Sequence, residues 1–187
     1  MTKVEVISDA FILLGKAPVN SIGTDASPIV ASASKLYDLV YPMIITMHTW
    51  RFAMAFKTLS PLSSVPPIDK YTTAYLLPSD MLHLYGTYPI GIDYARYENY
   101  LYTNEATTLT IEYSFLPDIE KWPAYFKNLM VITLASYIAM PVTESDKLAE
   151  DYSQKALNYL NTCRSIDSQQ QPNPSIFKDN LLNRKFG

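Results

Sequence analysis

The sequence predicts an α+β fold: an antiparallel four-helix bundle, a small antiparallel β lobe inserted into it, and an extended C-terminal arm. Apolar residues recur at helical spacing in the first and last thirds of the chain, whereas the middle is rich in Tyr, Thr, Pro and β-branched residues. After Asp167 the helical pattern gives way to a polar, proline-punctuated linker. We therefore expect a helical domain of residues 1–50 and 118–167, a β lobe of residues 51–117, and a linker and arm of residues 168–187.

Two apolar stripes predict the first pair of helices. The first stripe consists of Val4, Ile7, Phe11 and Leu14. Gly15 supplies the C-terminal stop of that helix, because glycine adopts the left-handed conformation found there. Asp25 or Ser27 can cap a longer second helix that has Pro28 in its first turn and is bent by Pro42. Its buried face is predicted to comprise Val30, Ala33, Tyr37, Val40, Ile44 and Met47.

The middle of the chain predicts short antiparallel strands. The clearest is the segment after Thr108, where Leu109, Ile111, Tyr113 and Phe115 alternate with polar residues. A hairpin is expected around Glu98-Asn99. The strands are predicted over residues 52–59, 82–88, 94–97, 100–103 and 109–115.

A third and a fourth helix follow and are expected to pair as an antiparallel hairpin. The third begins after Trp122 with Pro123 in its first turn, is apolar on nearly all sides, and is expected to stop at Pro141. Thr143 and Asp146 are spaced as a capping box for the fourth helix. The narrower stripe of that helix consists of Leu148, Tyr152, Ala156, Tyr159, Leu160 and Cys163.

Composition excludes several classes of function. The chain has 187 residues, a net charge of −3 and a pI of about 5.3, so no overall basic field attracts nucleic acid. Cys163 is the only cysteine, which excludes an intrachain disulfide and a cysteine-based zinc site. The longest apolar run is interrupted by Thr133 and Ser136, and no leader peptide is visible. We therefore expect a protein made in a reducing compartment and not inserted in a membrane.

Catalytic residues, metal ligands and cofactor-binding residues are not predicted. His48 and His83 lie in different lobes, without an acidic residue at ligand spacing. No Gly-x-Ser-x-Gly occurs, and the chain has five glycines, so a nucleophile elbow and a phosphate-binding loop are both excluded. Glu112 with Asp80 or Asp93 could form a carboxylate pair of the kind used for glycan hydrolysis, but solvated surface acids are far more common.

The β region contains a cluster of aromatic residues that predicts a contact surface. Such a cluster could stack the bases of a single strand or bind another protein. Arg96 is the only cation among these tyrosines, and Asp93, Glu98 and Glu105 flank it, which favours protein contact or sheet packing. The cluster consists of Tyr88, Tyr94, Tyr97, Tyr100 and Tyr102.

The C-terminal arm carries apolar anchors among basic residues. It is too short to form a core of its own, so it either folds back on the domain or docks on a partner; its composition leaves both open. Its candidate binding residues are Phe177, Leu181, Leu182, Arg184, Lys185 and Phe186.

The order of these features resembles that of the tail tubular protein A family, the head-to-tail adaptors of short-tailed phages. The similarity extends over residues 4–165 and rests on the order and spacing of short pieces. These are Phe11-Ile-Leu-Leu-Gly-Lys-Ala-Pro-Val, Trp50-Arg-Phe-Ala, Tyr75-Leu-Leu-Pro-Ser-Asp, Tyr100-Leu-Tyr, Tyr113 with Pro117-Asp118, Pro123 with Phe126, and Ala139-Met-Pro-Val-Thr.

The resemblance implies a structural virion protein without enzymatic activity. Such a protein forms a ring, usually of twelve subunits, between the portal and the tail nozzle, and double-stranded DNA passes through the ring. It is made in the cytoplasm of the bacterial host and is located at the portal vertex of the assembled virion. In that role the arm residues are expected to bind the portal. The tyrosine cluster of the β region is expected to contact a neighbouring subunit or the nozzle. The alternative is a stand-alone α+β module that binds a protein or ligand and docks its own tail.

Overall fold

The computed structural model describes residues 1–63, 66 and 69–170, which form an α+β fold. The helices are α1 (Lys3–Leu13), α2 (Pro28–Thr46), α3 (Ala124–Thr143) and α4 (Asp146–Ser168). The strands are β1 (Met54–Leu59), β2 (Thr73–Leu76), β3 (His83–Tyr88), β4 (Tyr94–Tyr97), β5 (Tyr100–Thr103) and β6 (Leu109–Ser114). The predicted four-helix bundle with a small β lobe is wrong, because the strands form two three-stranded antiparallel sheets.

The helices are arranged around α3. This helix packs against α1, α2 and α4, whereas α1 and α2 touch each other little. Its side chains Phe126, Met130 and Leu134 are fully buried. A bundle needs each helix to share a face with two neighbours. Apolar periodicity shows which face of a helix is buried but not which helix covers it, and this is why the bundle was predicted wrongly.

Helix α3 is long and apolar enough to cross a membrane by length and composition, and it is the only such helix in the part of the chain that the structure describes. Half of that stretch is buried inside the protein. Tyr137 and Met140 are each 46% exposed, so the expectation that α3 is covered on nearly all sides is also wrong.

The ends of the helices correct two further predictions. Pro141 lies inside the last turn of α3, which ends at Thr143 and is followed by Glu144 in the left-handed conformation, with a φ of 54°. The cap of α4 is Ser145, whose hydroxyl accepts from the Leu148 N–H at 3.3 Å; the predicted capping box is therefore absent. A proline in a last turn disrupts few further hydrogen bonds, and the helix tolerates it there.

The N-terminal helices agree better with the sequence. Ser27 caps α2 with Pro28 in the first turn, and α2 continues past Pro42. Gly15 follows α1 with a φ of +71°, as its predicted role requires. Met47, however, is exposed at the end of α2 rather than buried.

The two sheets have the strand orders β1-β6-β3 and β2-β5-β4. The predicted hairpin is confirmed: Tyr97 pairs with Tyr100, and Glu98 takes a positive φ of 52° in the turn. The sheets pack against each other through buried side chains from both, and these form a core separate from that of the helices. The members of this core are Leu59, Tyr75, Leu77, Leu101, Leu109, Ile111 and Tyr113.

Hydrogen bonds fasten both ends of the β region to the helices. Where the chain enters it, the Trp50 indole N–H donates to the Ile44 carbonyl at 2.8 Å. Where it leaves, the Tyr41 hydroxyl donates to the Pro117 carbonyl, and the Trp122 indole N–H donates to the Tyr41 hydroxyl at 3.1 Å. All of these side chains are buried. The two packed sheets, which we call the β sandwich, are therefore held at a defined position beside α2 and α3.

Candidate interaction surfaces

Three of the predicted tyrosines lie together on the second sheet. Side chains alternate across a strand, so Tyr97, Tyr100 and Tyr102 share the face opposite the buried Tyr75. The Tyr102 ring lies 6.1 Å from the Tyr97 ring and 6.2 Å from the Tyr100 ring. Leu76 and Tyr97 are each 53% exposed on this face, whereas Tyr100 is partly buried and Tyr102 is buried in a small cluster of its own. We call Leu76, Tyr97, Tyr100 and Tyr102 the outer tyrosine face.

The other two predicted tyrosines lie elsewhere. Tyr88 belongs to the first sheet, where its ring lies 6.0 Å from Phe56 and its hydroxyl donates to Glu112 at 3.3 Å. The charge of Glu112 raises the pKa of the Tyr88 hydroxyl. Tyr94 lines a cavity of about 430 Å³ with Tyr88 and the exposed Ile90. The predicted cluster is therefore divided between the two sheets.

The first sheet presents an outer face that the sequence analysis missed. Phe56 is 63% exposed beside Tyr88, and it pairs across the ladder with Glu112. The signal was present, because Phe56 alternates with Ala55 and Lys57 and therefore points away from the buried Leu59. The sandwich thus carries exposed aromatic side chains on both of its outer faces.

The acidic residues considered for catalysis have separate partners. Glu112 accepts from Tyr88, and the Asp93 carboxylate lies 3.2 Å from the Lys70 ammonium. Within the described ranges, His, Cys, Asp and Glu do not form a group of three or more that could hold a metal ion.

The candidate residues of the arm lie outside the described residues. They are Phe177, Leu181, Leu182, Arg184, Lys185 and Phe186. The structure does describe the end of α4, from which the arm departs.

That end of α4 is fixed by a buried carboxylate. Asp167 is fully buried, and both of its oxygens accept from the Arg51 backbone N–H, at 3.2 and 3.1 Å. The Tyr125 hydroxyl donates to Asp167 Oδ1 at 2.6 Å. Burial and the hydrogen bond to Asp167 raise the pKa of Tyr125, so that hydroxyl remains a donor at neutral pH. Asp167 thereby links α4 to the start of α3 and to the entry of the β region.

His48 lies beside this carboxylate, an acidic neighbour that residue spacing in the sequence does not indicate. Its Nε2 atom is 3.3 Å from Asp167 Oδ2. Burial lowers the pKa of His48 and outweighs the opposing charge of Asp167. Asp167 continues the stripe of Leu160 and Cys163 at helical spacing, and that placement was the sequence signal for a buried acid.

The lowered pKa of His48 predicts an effect of pH on stability. In the unfolded chain His48 binds a proton near its ordinary pKa of about 6.5, whereas in the folded chain it binds a proton only at lower pH. The unfolded state then holds more protons, so the free energy of unfolding should fall as the pH drops below about 6.5. Urea denaturation at a series of pH values measures this fall, and His48→Gln should reduce it. The exposed His83→Gln is the control and should leave the fall unchanged. An identical pH dependence in His48→Gln and the wild type would show that His48 does not cause it.

No family model matches the sequence, and no curated protein matches it.

Proposed function

We propose that this chain is a structural head-to-tail adaptor that forms a ring between the portal and the tail nozzle of a short-tailed phage. The observation that supports this best is the exposure of aromatic side chains on both outer faces of the β sandwich. Tyr97 lies on one face, and Phe56 and Tyr88 lie on the other. A ring subunit needs two different faces that bind each other around a rotation axis.

The chemistry of these faces fits protein contact. Tyrosine and phenylalanine supply large apolar areas with little loss of side-chain entropy, and they are enriched in the centres of interfaces. The hydroxyl of an exposed tyrosine also remains satisfied by water before assembly. The outer tyrosine face and the Phe56 side of the first sheet therefore suit a subunit that is first soluble and then covered.

The charge of the chain fits a channel through which DNA must move. A basic lumen binds phosphates along its length and slows passage, whereas a chain of net charge −3 repels them. In this proposal the helices face the portal and the β sandwich faces the nozzle. The arm supplies Phe177, Leu181, Leu182 and Phe186 as portal anchors, with Arg184 and Lys185 paired to acidic portal groups.

Mixing the chain with its cognate portal tests the proposal. Native mass spectrometry should show a stoichiometric ring complex, with twelve subunits expected from the family resemblance. Tyr97→Glu should weaken ring formation at least tenfold, because it places a charge in an apolar contact. Deletion of residues 172–187 should abolish portal binding, while the thermal unfolding midpoint of the remaining chain stays close to that of the full chain.

Ala106→Glu is a matched control for Tyr97→Glu, because it adds the same charge at an exposed loop position of the same β region. It should leave ring formation intact. A wild-type chain that stays monomeric with the portal would contradict the adaptor proposal and favour the stand-alone binding module.

A further inference from the structure

A groove runs between α2, α3 and α4 and encloses about 280 Å³. Met43 and Met47 line it from α2, Thr133 and Tyr137 from α3, and Leu157 from α4. Every described side chain that lines it is uncharged. Met47, Tyr137 and Leu157 are about half exposed. The groove is therefore an apolar surface that gains free energy when it is covered.

We propose that this groove binds the arm of the same chain, with Ile176 and Phe177 entering it. Both residues are apolar, and they are the first large apolar residues after the end of α4. Methionine side chains such as Met43 and Met47 adapt to an aromatic ring and make favourable sulfur contacts with it. The docking concerns the isolated chain and does not depend on the adaptor role.

The length of the chain beyond α4 permits this docking. Leu157 lies about 17 Å before Ser168 along the axis of α4. Residues 169–177 can span at most about 30 Å. Phe177 can therefore reach Leu157 when the arm turns back beside α4, and slack remains for the turn.

The charges of the arm and of α4 also favour a path of the arm back along α4. The arm contains three cations and one acid in its side chains, namely Lys178, Arg184, Lys185 and Asp179. The arm thus carries +2, and because the whole chain carries −3, the remainder carries −5. Glu150 and Asp151 lie on α4 beyond Leu157 toward its N-terminus. An arm that returns from Ser168 and continues past the groove brings its cations toward these carboxylates.

A second cavity on the other side of α4 is a poorer site. It is lined by Asp9, Lys127 and Lys155, among others, so an apolar side chain there would dehydrate charged groups. Both cavities flank the same part of α4, and reach alone does not distinguish them. Tethering favours the groove of the same molecule over that of another copy, because a short linker holds the arm at millimolar effective concentration.

Disulfide trapping tests the proposal. Leu157→Cys is combined with Phe177→Cys, and the matched control combines Lys155→Cys with Phe177→Cys. Leu157 and Lys155 are both exposed and nearly equally far from the end of α4, but they face different cavities. Cys163 is fully buried, and burial raises the pKa of its thiol to about 11, so it stays unreactive.

The Leu157–Phe177 pair should form an intramolecular disulfide at least about tenfold faster than the control pair, as tethered docking predicts. Peptide mapping of the monomer identifies the bond. Equal rates for the two pairs would overturn the proposal. Cross-linked dimers would overturn it as well, because the groove would then bind the arm of another copy. The measurement uses the isolated chain, so its outcome is independent of whether the portal binds.

Trypsin cleavage in the arm provides a second measurement. Docking should protect the bonds after Lys178 and Arg184, and Leu157→Asp should remove this protection and raise the cleavage rate about fivefold. Ile12→Asp is the control, because Ile12 is half exposed and lines the second cavity. Cleavage that is equally fast in the wild type and in Leu157→Asp would contradict docking in this groove.

Discussion

Asp167→Ala should lower the free energy of unfolding by about 3–5 kcal/mol. The substitution leaves the Arg51 N–H and the Tyr125 hydroxyl without their acceptor at the end of α4. Each unsatisfied buried donor costs about 1–3 kcal/mol, and the loss of the packed carboxyl adds a small cavity. Urea denaturation monitored by circular dichroism measures the change. Because α4 is tied here to α3 and to the β region, its last turn should also lose protection from hydrogen exchange.

Three further variants test whether the hydrogen bonds of Asp167, rather than a general sensitivity of α4 to substitution, cause this loss of stability. Asp151→Ala removes an exposed carboxylate of the same helix and should change the stability by less than about 0.5 kcal/mol. Asp167→Asn keeps one acceptor oxygen and should cost less than Asp167→Ala. Tyr125→Phe combined with Asp167→Ala should cost less than the sum of the single changes, since they share one hydrogen bond. Additive costs would show that this bond does not carry the effect.

Trp50→Ala should also destabilise the protein by about 3–5 kcal/mol, because it removes a fully buried indole from the helical core. The Trp50 ring packs edge-on against Phe126 at 5.2 Å, and its N–H is the donor to the Ile44 carbonyl. The loss affects the helical core and the entry of the β region together. Thermal unfolding and urea denaturation should therefore both show a large shift in midpoint.

Trp50→Phe is the informative companion variant. This variant keeps an aromatic ring but loses the indole N–H. Its free energy of unfolding should therefore lie between that of the wild type and that of Trp50→Ala. Tyr97→Ala removes an aromatic ring that is 53% exposed and should cost far less. A Trp50→Ala protein as stable as Tyr97→Ala would mean that the core does not depend on Trp50.

Local elements were the part of the fold that could be predicted from the sequence. The Ser27 cap, the Gly15 stop and the hairpin at Glu98 depend on residues within a few positions of each other. The same reasoning failed at Pro141 and Thr143. The end of α3 depends on where α4 begins, and Ser145 caps α4 in place of Thr143.

The candidate surfaces show the same limit. Tyr97, Tyr100 and Tyr102 share a face because hairpin register follows from strand alternation over a short stretch. Tyr88 is close to Tyr94 in sequence but belongs to the other sheet. Asp167 is far from Arg51 and Tyr125 in the chain, so neither partner could be identified from local spacing.

By itself the sequence determined the type and approximate position of most helices and strands, since these follow from periodicity, caps and turn residues. The tertiary structure alone decided that α3 is the centre of the helices, that the strands form two packed sheets, and that Asp167 is buried beside His48. These features arise from contacts between residues far apart in the chain, and local periodicity says which side chains are buried without saying what buries them.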